Sequence, residues 1–66
     1  MEVDGVRLQW RRKGQGLTME ELGKFAEVSL ETIWRLEKGR ASARITTVRK
    51  LAEALGVDAV DLLVRK

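Results

Sequence analysis

The chain has 66 residues, room for one domain, and a domain of this size buries only about 60% of the surface its unfolded chain exposes. It contains no cysteine, histidine, tyrosine or proline. Disulfides, thiolate chemistry and the commonest metal ligands are therefore excluded, acid–base chemistry is reduced to carboxylates, lysines and water, and neither catalysis nor a metal or cofactor is expected.

In chain order, Val3, Val6 and Trp10 recur at i, i+3 and i+7, a stripe that predicts a first helix burying these three side chains. Gly14 and Gly16 end that helix and lead to Thr18. Thr18 followed by Glu20 and Glu21 marks a helix start, an oxygen cap followed by acids where the macrodipole favours negative charge. The second helix is predicted over 19–26, with Leu22, Phe25 and Ala26 at helical spacing and Gly23 giving a neighbouring helix room to approach. Ser29 caps a third helix over 30–37, where Ile33 and Leu36 point inward while Leu30, Glu31, Thr32, Trp34 and Arg35 spread over outward faces. Arg44 to Leu55 reads as a fourth helix with Val48, Leu51, Ala52 and Leu55 inward and Gly56 at its C-terminal stop. Asp58 and Asp61 resemble a cap and its partner opening a short fifth helix that carries Val60, Leu62, Leu63 and Val64. No linker, repeat or low-complexity tract divides the chain, so the expected fold is an all-α, compact five-helix bundle spanning residues 1–66 as a single domain.

The net charge of +3 is mild but uneven. Between Arg35 and Lys50, the bases Arg35, Lys38, Arg40, Arg44, Arg49 and Lys50 face the single acid Glu37. Up to Trp34, Arg7, Arg11, Arg12, Lys13 and Lys24 are offset by Glu2, Asp4, Glu20, Glu21, Glu27 and Glu31. The positive field thus concentrates at the end of the third helix and just beyond it. Residues 1–16 hold no apolar run of a secretory signal, and no segment approaches the ~20 apolar residues that span a bilayer, so a cytoplasmic protein without a membrane partner is expected.

The segment from Thr18 to Gly39, TMEELGKFAEVSLETIWRLEKG, resembles the Cro/C1-type (XRE-like) helix-turn-helix family. That family's usual signature runs roughly Thr-Gln-Glu-Glu-Leu-Ala, three residues, Gly-Val-Ser, then Ile-Ser-Arg-Ile-Glu-Arg-Gly. The match is ungapped and continues through Thr47 to Val57, covering about Leu17 to Leu63, with caps, apolar spacing and closing glycines in register. The resemblance implies a lambda-repressor-like fold and a sequence-specific transcriptional regulator of double-stranded DNA, most simply a repressor that occupies an operator. A major groove about 12 Å wide admits one α-helix, here the one opening at Ser29.

By position, the family's base-reading residues fall on Leu30, Glu31 and Arg35, with Thr32 a further candidate. Arginine pairs with guanine, a carboxylate accepts from the cytosine amino group, and leucine packs on a thymine methyl. Phosphate contacts are implied at the helix starts near Thr18, Met19 and Ser29, and from Lys38, Arg40 and Arg44. A homodimer on a pseudo-palindrome is implied, weak and assisted by DNA, with Val60, Leu63 and Val64 as candidates for the dimer contact. The same three side chains also suit the monomer's own core.

Four positions depart from the family pattern. Met19 replaces a glutamine that anchors phosphate or base, and Trp34 occupies a site usually small or polar. With Leu30 they form either an apolar patch for a protein partner, which is the rival adaptor reading, or a surface that stacks on sugar and base; alternatively Met19 and Trp34 simply cover the bundle. Glu27 replaces a turn glycine whose left-handed conformation costs an ordinary residue roughly 1 kcal/mol. Ala43 replaces a proline, so that loop loses a fixed φ. Glu37 has a family counterpart that pairs with an arginine on the first helix, here Arg11 or Arg12.

Overall fold

The computed structural model describes residues 1–39 and 41–65. Within them run α1 (Gly5–Gly14), α2 (Met19–Ala26), α3 (Leu30–Glu37) and α4 (Ile45–Leu55), followed by a 3-10 turn at Ala59–Leu62. Two short strands, β1 (Glu2–Val3) and β2 (Ala41–Ser42), pair antiparallel with Val3 opposite Ala41. The expected fifth helix is therefore a single 3-10 turn: Asp58 at its start makes no side-chain cap bond, and extended backbone at Leu63 ends it.

Three helix starts are fixed by side-chain oxygens that accept otherwise unpaired amides. Asp4 accepts from Val6 N–H and Arg7 N–H, at 3.1 and 3.3 Å. At α2 the capping box is complete: Thr18 Oγ1 accepts from Glu21 N–H at 3.0 Å, and Glu21 Oε1 accepts from Thr18 N–H at 2.9 Å. Those bonds, the backbone one first, hold the Glu21 carboxyl below its ordinary pKa. Helix α4 ends at Gly56 with φ 69°, and α2 ends at Glu27, a non-glycine residue with φ 57° and ψ 43°.

The core gathers Leu8 from α1, Leu22 and Ala26 from α2, Ile33 and Leu36 from α3, and Val48, Leu51, Ala52 and Leu55 from α4. Val3 and Leu62 close it from the ribbon and the 3-10 turn. Each large aliphatic side chain buried this way contributes roughly 1.5–3 kcal/mol. Helix α2 packs against α3 and α4, while α1 packs against α3 and the 3-10 turn.

The register of α1 differs from the expected stripe. Val3 lies in β1, Val6 and Trp10 are exposed, and the inward residues are Gly5, Leu8 and Arg12. Gly5 is buried where α1 meets the end of α3: a methyl group there would lie 2.4 Å from the Leu36 carbonyl oxygen and 2.8 Å from that of Glu37. Arg12 enters the interior because Glu37 receives it, which settles the choice between Arg11 and Arg12. Phe25, which shares the helical spacing of the buried Leu22 and Ala26, is 68% exposed on α2. Gly23 does permit a close approach: the nearest neighbour is the carbonyl of Val28 in the turn, followed by Ile33 Cδ1 and the Leu30 amide nitrogen of α3.

Candidate nucleic-acid interface

Helix α3 is anchored on one side and bare on the other. Ile33 and Leu36 are buried, whereas Leu30, Glu31, Trp34, Arg35 and Lys38 are exposed. The exposed set makes two adjacent lines at helical spacing, Leu30, Trp34 and Lys38 in one, Glu31 and Arg35 in the other. A single face about two residues wide thus presents apolar, acidic and basic groups side by side.

Ser29 holds the start of this helix. Its hydroxyl accepts from Thr32 N–H at 3.2 Å and donates to Thr32 Oγ1 at 2.8 Å. Thr32 is half-buried and engaged in that cap, which sets it apart from the four fully outward residues around it. The turn before α3 depends on Gly23, and the bond from Val28 N–H to the Gly23 carbonyl at 3.0 Å closes it.

At the start of α2, the capping box consumes the N–H groups of Thr18 and Glu21, and the carboxylates of Glu20 and Glu21 stand in the same turn. A phosphate there meets the Met19 and Glu20 amides against two negative charges, a weaker anion site than a helix start capped by a neutral residue alone. The start of α3, capped by the neutral Ser29, has only Glu31 in its first turn. Met19 is half-buried against the core, so it does not share the exposure of Leu30 and Trp34.

The basic segment leaves α3 at Lys38, whose ammonium nitrogen stands 5.2 Å from the centre of the Trp34 ring. This pairing was not anticipated from sequence, although the i, i+4 spacing of Trp34 and Lys38 is its signal. Arg44 is exposed as the N-cap residue of α4, and Arg49 and Lys50 are exposed along that helix. Arg40, counted among the phosphate candidates, lies outside the described residues. The ribbon ties this loop down: Ala43 N–H donates to the Met1 carbonyl at 2.8 Å, beside the β1–β2 pairing.

Among the dimer candidates, Val60 is exposed on the 3-10 turn. Leu63 bridges to Val3 and packs on the core, and Val64 N–H donates to the Glu2 carbonyl at 3.1 Å, so both are partly engaged within the monomer. No described helix is long and apolar enough to cross a membrane, and no described cluster of acidic residues has the makings of a metal site.

The family model for the helix-turn-helix matches residues 8–62, from within α1 through the 3-10 turn. The chain belongs to the Cro/C1-type helix-turn-helix family. Membership makes this a DNA-binding regulator in its general class. It is 42% identical over 50 residues to an uncharacterised HTH-type transcriptional regulator of Methanothermobacter thermautotrophicus, covering 76% of this chain and 72% of that one. To the HTH-type transcriptional regulator y4dJ of Sinorhizobium fredii it is 38% identical over 52 residues, covering 79% and 68%. Among solved structures it resembles the restriction-modification controller protein C.AhdI from Aeromonas hydrophila, with a TM-score of 0.82, 27% identity and 89% of each chain covered. The same helix-turn-helix fold occupies 14% of a hydroxyethylphosphonate dioxygenase, with a TM-score of 0.86 over 98% of this chain at 23% identity, a likeness of fold alone.

Proposed function

We propose that this helix-turn-helix protein is a sequence-specific repressor of transcription that lays α3 in the major groove of a pseudo-palindromic operator. The observation that carries the reading is the single bare face of α3: Glu31 and Arg35 one turn apart beside Leu30 and Trp34, on a helix fixed from behind by Ile33 and Leu36. Arg35, Glu31 and Leu30 read base edges, while Thr32 serves mainly to fix the cap. Ser29, Lys38 and Arg44, together with Arg40 and the start of α2 at Thr18 and Met19, hold the phosphates and so set register without reading sequence.

Two copies on half-sites about one helical turn apart give the operator its symmetry. Val60 and its neighbours Leu63 and Val64 supply the contact between copies, in an assembly that DNA strengthens. The domain acts without catalysis or cofactor, in the cytoplasm. Likeness to a restriction-modification controller supports a regulatory role of this kind.

The test compares two variants on specific and random duplexes. Arg35→Ala weakens the specific site by about 1–3 kcal/mol and relaxes preference at one base pair, while Arg44→Ala weakens all sequences alike. Equal losses on both duplexes for both variants contradict the division of roles. Binding that survives only at low salt, with no preference among sequences, favours a protein-binding adaptor built on the exposed Leu30 and Trp34.

A further inference from the structure

We propose that Trp34 is a positioning residue for backbone binding, its ring holding the Lys38 ammonium ready for a DNA phosphate. This rests on α3 facing DNA and goes beyond it, since it assigns a role to the residue that departs most in size from the family pattern. The geometry is a cation over an aromatic face: Lys38 Nζ lies 5.2 Å from the Trp34 ring centre, within the range of an attractive cation–π contact. The backbone fixes the pair as well, because Lys38 N–H donates to the Trp34 carbonyl at 3.1 Å.

A lysine on a flexible four-carbon stem gives up rotamer freedom when it binds an anion, and a partner that orders it beforehand lowers that cost. A carboxylate would order the ammonium too, but it would also neutralise it. The nearest acid in sequence, Glu37, is already occupied by Arg12, at 2.7 and 3.0 Å. An aromatic face orders the cation and leaves its charge and N–H donors free. Trp34 is 52% exposed and Lys38 is exposed, so the held ammonium stays open to solvent. Its place at the C-terminal end of α3, where the helix dipole favours a cation, reinforces the same position.

A double-mutant cycle on a random-sequence duplex tests this, since phosphate contacts do not depend on sequence. Lys38→Ala reduces the slope of log affinity against log salt by about 1. Trp34→Leu, which keeps an apolar side chain but no ring, weakens binding by about two- to five-fold, the affinity equivalent of a cation–π contact at an exposed site. The double variant binds no more weakly than Lys38→Ala alone, and Trp34→Phe retains part of the affinity. Circular dichroism confirms that each variant is folded. Losses that multiply in the double variant, or unchanged binding by Trp34→Leu, overturn the positioning role while leaving DNA binding intact. Wild-type protein that binds no duplex at any salt overturns both.

Discussion

Arg12 and Glu37 join the first helix to the last turn of the third by a two-pronged bond, Nε to Oε2 at 2.7 Å and Nη2 to Oε1 at 3.0 Å. The pair is buried, with side chains 8% and 2% exposed, and Arg12 Nη1 also donates to the Leu17 carbonyl at 2.7 Å. The hydrogen-bonded, charged Glu37 raises the Arg12 pKa above its ordinary value despite the opposing effect of burial. One arginine therefore fixes α1, the link to α2 and the end of α3 together.

Removing one partner strands the other charge. Glu37→Ala is expected to cost about 3–5 kcal/mol, a large part of the roughly 3–10 kcal/mol available to a domain of this length. Urea denaturation measures it. Replacing both residues by apolar ones, Arg12→Met with Glu37→Leu, recovers part of the loss, because no uncompensated charge remains.

Acid stability depends in part on the α2 capping box. The Glu21 carboxyl is held below its ordinary pKa in the folded protein, first by its bond to Thr18 N–H. The folded state therefore binds fewer protons than the unfolded chain just below the usual carboxylate pKa. The stabilisation is present above that value and is lost as pH falls through the depressed one. Glu21→Gln, which keeps an acceptor but cannot ionise, is expected to flatten the fall of melting temperature across that window; an unchanged acid limb would contradict it.

Close backbone approach makes Gly5 and Gly23 intolerant of a methyl group. Gly5→Ala and Gly23→Ala place Cβ 2.4 and 2.8 Å from backbone carbonyl oxygens, and each is expected to destabilise the fold by about 1–3 kcal/mol despite alanine's better helix propensity. Gly14→Ala is the control, because nothing lies within 4 Å of its added carbon. Thermal melts of the three variants should separate the first two from the third.

Glu27 carries a left-handed backbone at φ 57° without being glycine. Its strain of about 1–2 kcal/mol exceeds the extra unfolded-state entropy of a glycine, about 0.4–1 kcal/mol. Glu27→Gly is therefore expected to raise stability modestly and Glu27→Val to lower it, as read from the midpoint of urea unfolding.

The helix-turn-helix pair was legible because its signals are local: Thr18, Glu21 and Ser29 cap within three residues, and Leu22, Ala26, Ile33 and Leu36 keep a helical period. The fourth helix was legible for the same reason, down to Gly56. Helix α1 was misread because its apolar stripe is the exposed one, with Trp10 at 74%, while its inward face is a glycine, a leucine and an arginine. The distant Glu37, with the Leu17 carbonyl, makes the burial of Arg12 possible, and no local pattern announces it. Strands of two residues carry no period, so β1 and β2 were invisible as well. At the candidate interface, the outward set on α3 was legible except for Thr32, which is half-buried in the Ser29 cap, whereas the contact of Lys38 with Trp34 and the tie of the ribbon on the Arg44 loop depend on the folded geometry.

The most direct measurement is selection of the wild-type protein against a randomised duplex library at about 0.15 M salt, where nonspecific phosphate attraction is already reduced. The expected result is an inverted repeat with half-sites about 10 bp apart, enriched by wild type and altered at one position by Arg35→Ala. A folded protein that enriches no sequence would contradict a base-reading role for α3.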